Sequence, residues 1–149
     1  MATIVSRSLA MIITLVVTAV PGQADQTEGG LKSDNPLVGT WKLVSAKYGG
    51  SDFTFPEGTT TVKHVTPTQF MWATYDGEGT VSRAAGGRYT LKGETYEETP
   101  EYGISADFDV VKGKPQTFKW KVKGNKWYHD GKLSNGQTIE EVWERVERR

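Results

Sequence analysis

Cysteine is absent from all 149 residues. That excludes disulfides, thiol chemistry and a lipid-modified cysteine at a cleavage site, and leaves stability to core packing and sheet hydrogen bonds. An excess of one charge is lacking too. Eighteen Lys and Arg stand against eighteen Asp and Glu with no clustered basic run, which argues against a nucleic-acid partner. Histidine occurs only twice, as His64 and His129, and no close-spaced pair of ligating side chains marks a metal site. Gly-x-Ser-x-Gly, phosphate-loop and dinucleotide fingerprints are missing, as are internal repeats, so neither a cofactor nor a metal is implied and no catalytic residue is marked.

Long apolar runs are also scarce. The candidate, 9–20, is apolar apart from Thr14 and Thr18, and falls short of the roughly 20 residues needed to cross a bilayer. Arg7 precedes it, Pro21 and Gly22 end it, and Gly22-Gln23-Ala24 offers small residues for a cleavage site. This layout predicts a secretory signal peptide over 1–24, hence a secreted or periplasmic chain with no membrane anchor after cleavage. Loss of Arg7 leaves 17 basic against 18 acidic residues, a net charge near −1. Residues 25–35 are rich in Gly, Asp, Glu and Ser and read as a disordered leader. Residues 36–149 are of a size to form one domain with one core.

From Leu37 onward, short runs rich in Val, Thr, Tyr, Phe and Trp alternate with Gly, Asp, Asn and Pro clusters, the pattern of an all-β antiparallel sandwich or barrel. Candidate strands are 39–48, 60–66, 69–75, 80–85, 88–92, 95–98, 106–111, 116–123, 126–133 and 138–146. Asp76-Gly77, Lys92-Gly93, Gly124-Asn125 and Asn135-Gly136 supply residues for tight hairpins. Period two is clearest where Phe118, Trp120 and Val122 share one face and the intervening lysines the other. The last segment is ambiguous. Ile139, Val142, Trp143 and Val146 fit an amphipathic helix, whereas a strand places Ile139, Glu141, Trp143 and Arg145 on one half-apolar face.

Asn35-Pro36-Leu37-Val38-Gly39-Thr40-Trp41 resembles the opening of the lipocalins and wider calycins, with Gly-x-Trp on the first strand. In those families an Arg late in the last strand lies over that Trp and closes the barrel floor. Arg145 stands where that Arg is expected, and a Trp–Arg stack is sound cation–π chemistry. Lys63-His64-Val65-Thr66-Pro67-Thr68-Gln69-Phe70 and 136–145 resemble small exported bacterial lipocalin-like domains. The resemblance implies an up-and-down β-barrel of about eight to ten short strands. It assigns Trp41 and Arg145 structural roles, and makes 138–146 a strand paired with the first strand. The chain is shorter than a typical lipocalin and lacks the long flanking helix, so no family ligand is carried over.

Aromatic side chains are the richest candidate material. Trp72, Tyr89, Tyr96, Tyr102, Phe108, Phe118, Trp120, Trp127 and Trp143 are more rings than such a barrel needs for volume alone. Tyr and Trp carry polar tips that need partners when buried. If Lys63, Lys119 and Lys121 point outward, His64 and Trp120 point inward, and an inward Arg145 takes Glu141 and Trp143 with it. His129, beside Asp130-Gly131, reads as a surface residue. Glu98 and Glu141, if inward, need partners, which Arg83 or Arg88 can supply. Gly86-Gly87 reads as a bulge. The expected ligand-binding set is therefore His64, Trp72, Arg83, Arg88, Tyr89, Tyr102, Trp120, Glu141 and Trp143, around a small amphipathic molecule. A barrel enzyme of isomerase or hydrolase type using His64, and a filled barrel serving as an interaction module, are the alternatives.

Overall fold

The computed structural model describes residues 34–146, so the signal peptide and most of the leader lie outside the described residues. Its elements are β1 (Gly39–Tyr48), β2 (Ser51–Asp52), β3 (Thr60–Val65), β4 (Gln69–Tyr75), β5 (Val81–Lys92), β6 (Thr95–Ile104), α1 (Ala106–Val111), β7 (Gln116–Lys123), β8 (Lys126–Lys132) and β9 (Thr138–Arg145). From β3 to β9 each strand pairs with the next, β1 pairs with β3, and β1 with β9 closes the ring. Eight antiparallel strands form the barrel, and β2 is a short addition on the end of β1. Full closure leaves the ring no free edge.

The last segment is a strand. Trp41 faces Arg145 and Leu43 faces Trp143, with a register shift between Leu43 and Ser45. The helical spacing of Val142 and Val146 misleads because Val142 sits on the face opposite Trp143, half-buried, while Val146 is exposed beyond the strand. The two strands expected over 80–85 and 88–92 are one strand, β5, which begins at Val81 and runs through the bulge expected at Gly86-Gly87, where the β5–β6 register shifts. A Cβ at Gly87 would collide with the Thr99 carbonyl, so the close approach of the two backbones requires glycine there.

Residues 106–111 are a correction: they form the single-turn helix α1, not a strand. Period two would bury Ala106, Phe108 and Val110 together, but only Phe108 is buried and Val110 is exposed. Phe108 is buried and Val111, one helical turn on, is half-buried, as a helix rather than a strand arranges them. Asn35, assigned above to the leader, belongs to the domain. Its side-chain carbonyl accepts from the Leu37 N–H at 2.9 Å and its amide donates to the Tyr89 hydroxyl at 2.6 Å.

Up-and-down topology gathers the β3–β4, β5–β6 and β7–β8 turns at one end and α1 with the remaining loops at the other. The first end is filled. Leu37, Trp41, Tyr89, Tyr96 and Trp127 pack there, with Trp41 edge-on to Trp127 at 5.6 Å. Arg145 seals it: its guanidinium carbon lies 4.1 Å from the Trp41 ring centre, and it donates to the carbonyls of Val38 and Pro36. The other end is open.

Candidate functional site

Above the sealed floor the barrel encloses a cavity of about 330 Å3. Its apolar wall is built from Leu43, Trp72, Ala85, Phe118, Ile139 and Trp143 on the strands. Phe53, Phe55 and Phe108 stand at the mouth. Phe53 stacks edge-on against both Tyr48 and Phe55, each at 5.2 Å.

Into this apolar wall the strands bring a Lys–Glu ion pair and a His–Glu pair. Lys63 of β3, 2% exposed, donates to Glu98 of β6 at 2.7 Å, and the Tyr96 hydroxyl donates to the same carboxylate oxygen at 2.5 Å. The Lys63 ammonium also lies 5.0 Å from the Trp143 ring centre and 5.1 Å from that of Trp127. A charge this dry is tolerable only with such partners, since an unpaired buried ammonium is strongly disfavoured. Burial and then the Glu98 carboxylate raise the Tyr96 phenol well above its ordinary value, so it stays a donor.

The second pair joins neighbouring strands. His129 of β8 and Glu141 of β9 face each other across the ladder, and His129 Nδ1 lies 3.1 Å from Glu141 Oε2. The Trp143 indole N–H donates to the same oxygen at 3.0 Å, and the Tyr48 hydroxyl to Oε1 at 2.9 Å. Burial pushes the Glu141 carboxyl up. The hydrogen bond and charge of His129, the charge of Lys63 and the Tyr48 hydroxyl outweigh that and hold it at about 2. Glu141 is thus a carboxylate with both oxygens engaged. His129, 2% exposed, has its other nitrogen, Nε2, buried with no hydrogen-bond partner among the described residues. Trp127 Nε1 is likewise unpartnered, but Trp127 lies below the cavity wall.

Of the residues expected around a ligand, Trp72, Arg83, Glu141 and Trp143 stand on the cavity wall. Five do not, and each is a correction. His64 is exposed on the outer face and meets the Thr40 hydroxyl at 3.1 Å, so it is no base inside the barrel. Arg88 points outward and pairs with Glu101 at 2.6 Å. Tyr89 is buried at the sealed end, donating to the Thr66 carbonyl at 2.7 Å. Tyr102 is 50% exposed and lies over Gly86. Trp120 is half-buried beside the β5–β6 hairpin, donating to the Gly93 carbonyl at 3.1 Å.

The error over His64 was one of strand phase. Thr61, Lys63 and Val65 share one face of β3 and Val62 and His64 the other, with one Val each, so only the charge of Lys63 separates them. The pairing decides otherwise: Lys63 sits opposite Trp41, and residues directly opposite in a ladder point the same way. His129 is the residue that sequence reasoning misplaced. Its two-residue offset from Trp127 would have found it, had Trp127 been taken as inward. Tyr48 carried no signal, because its role depends on closure with β9.

Comparison with known proteins agrees with the geometry. The family described as "Lipocalin-like domain" matches residues 37–144. No functionally curated protein matches the chain. Among solved structures, a lipocalin-like protein from Bacteroides uniformis superposes with a TM-score of 0.54 at 14% identity, covering 74% of this chain and 98% of that one. A redesigned β-barrel gives a TM-score of 0.47 at 16% identity, over 74% of this chain and 92% of that one.

Proposed function

The chain belongs to the lipocalin-like domain family, and from that premise we propose that it is an exported binding protein holding one small, partly apolar molecule inside its barrel. Eight-stranded barrels have interiors wide enough either to be filled by side chains or to hold one small ligand. The observation that carries the reading is the cavity of about 330 Å3 above a floor already packed with tryptophan. Its volume falls in the range of ligand pockets, and its wall is mostly apolar with a few convergent polar groups. That void speaks against a filled interaction module. The enzyme alternative loses its base, because His64 lies outside the barrel. Export rests on the sequence of residues 1–24.

Native mass spectrometry of protein purified from its own host tests the proposal. A co-purifying molecule of a few hundred daltons, released on denaturation, is the expected result. A mass equal to the bare polypeptide, together with no saturable binding of apolar probes, overturns it.

A further inference from the structure

We propose that the outer face of β3–β6 is a self-association surface, through which two copies of the barrel pair face to face as a weak two-fold dimer. Two cross-strand rows build it. Met71 of β4 stands opposite Gly86 of β5, and Gly86 opposite Tyr102 of β6. The next row, two residues nearer the open end, runs from Val62 of β3 through Ala73 and Ala84 to Ile104. Both rows point away from the cavity, because Met71 lies opposite His64 on the outer face and side chains two residues apart share a face. Met71 is 42%, Tyr102 50% and Ile104 51% exposed, and neither row carries a charge. The outer face of β7–β9 shows what contact with water ordinarily selects. There Lys119, Asp130 and Glu140 stand in one row, all exposed. A contiguous apolar patch on a chain that otherwise dresses its strands in charge marks an interaction site.

The patch is ordered before any partner arrives. A Cβ at Gly86 would lie 2.5 Å from the Tyr102 ring, so the glycine lets that ring rest against the sheet, and little freedom is lost when it is covered. Ala73 and Ala84 keep the centre low enough for a second backbone to approach. The occupant that fits is another copy of this chain. Strand spacings of about 4.8 Å and rises of about 3.4 Å per residue give the two rows a footprint of roughly 350 Å2 with their side chains. Each partner in a standard interface contributes about 800 Å2, as an apolar centre inside a polar rim, so the rows supply the centre of a small, reversible one. The rim suits self-pairing. In the order β1, β3, β4, β5, β6 the middle strand is β4, so a two-fold axis along it lays β1 of one protomer over β6 of its partner. Lys42, beside Val62, then comes to the edge that carries Glu101, and the same contact forms twice. A partner of strong net charge would be met by charge of one sign, whereas this rim carries both.

Sedimentation velocity of protein purified from its own host, over about 1–500 µM, tests this. Wild type is compared with Met71→Lys and Ile104→Lys, and with Lys119→Glu on the charged wall as a control, circular dichroism confirming that each is folded. Wild type should pass from monomer to dimer within that range. Met71→Lys and Ile104→Lys should each need at least about tenfold more protein to dimerise, while Lys119→Glu dimerises as wild type does. Wild type that stays monomeric throughout overturns the proposal, as do folded Met71→Lys and Ile104→Lys that dimerise like wild type. A monomer that floats with phosphatidylcholine vesicles as wild type but not as Met71→Lys overturns it too, and assigns the face to a lipid surface. None of these outcomes bears on cavity binding, because both rows lie on the outside of the barrel.

Discussion

Glu141 combines the tension of the whole interior in one side chain. Burial alone would neutralise it, yet the hydrogen bond and charge of His129, the Lys63 charge and the Tyr48 hydroxyl hold its carboxyl at about 2, below its ordinary 4.5. A carboxyl whose folded value is depressed stabilises the fold above its unfolded value and loses that contribution as pH falls through the folded one. The shift corresponds to roughly 3 kcal/mol, present above about pH 4.5 and lost between there and about pH 2. Glu141→Gln should therefore melt well below wild type at pH 7, with the gap narrowing steadily as pH is lowered towards 2. A gap that stays constant with pH would mean that the charge of Glu141 contributes nothing. Lys63 makes the complementary case. Lys63→Met leaves Glu98 with one fewer donor inside the barrel and should cost about 3–5 kcal/mol, because a buried charge loses its partner. Lys63→Met with Glu98→Gln, which removes both charges, should recover much of that loss in chemical denaturation. A double variant no more stable than the single one would show that the pair acts through packing alone.

Among the elements, the joint between β1 and β9 matters most, because it turns a sheet into a barrel. It explains the glycine of Gly-x-Trp. Gly39 has φ of +143°, and a Cβ there would lie 2.5 Å from Arg145 Nη1. Gly39→Ala should destabilise by about 1–3 kcal/mol from backbone strain while also pushing Arg145 off Trp41. Trp41→Ala should cost about 3–5 kcal/mol, as large aromatic truncations in cores do. If urea melts of both variants match wild type, the floor does not hold the barrel closed. The strands were largely legible: β1, β4 and β7 fall where period two and turn residues put them, because half-buried walls impose alternation. α1 was not legible, since six residues are too few for helical period to outweigh the β-like composition of Phe108, Val110 and Val111. The face of β3 was equally hidden, because the charge on Lys63 argued for solvent and only its pairing opposite Trp41 places it inside. The candidate site was legible where it leaned on Arg145, through Glu141 and Trp143, and illegible where it depended on cross-strand partners such as Tyr48 and His129.

The described domain is a barrel sealed at one end and hollow at the other, and its tryptophans stand in different surroundings. Trp72 faces the cavity and Trp120 lies outside it. A bound ligand should quench tryptophan emission, with Trp72→Phe removing a measurable part of the quench and Trp120→Phe leaving it intact. The central claim is that the void itself is the binding site, and filling it is the direct test. Ala85 lies on the cavity wall, so Ala85→Phe adds a ring to that wall and reduces the void. The decisive measurement is a fluorescence titration of wild type and Ala85→Phe with 1-aminoanthracene, a neutral aromatic probe, with circular dichroism confirming that both are folded. The account predicts one saturable site in wild type and its loss in the variant at unchanged secondary structure. Undiminished binding by folded Ala85→Phe, or no saturable binding by wild type, would contradict it.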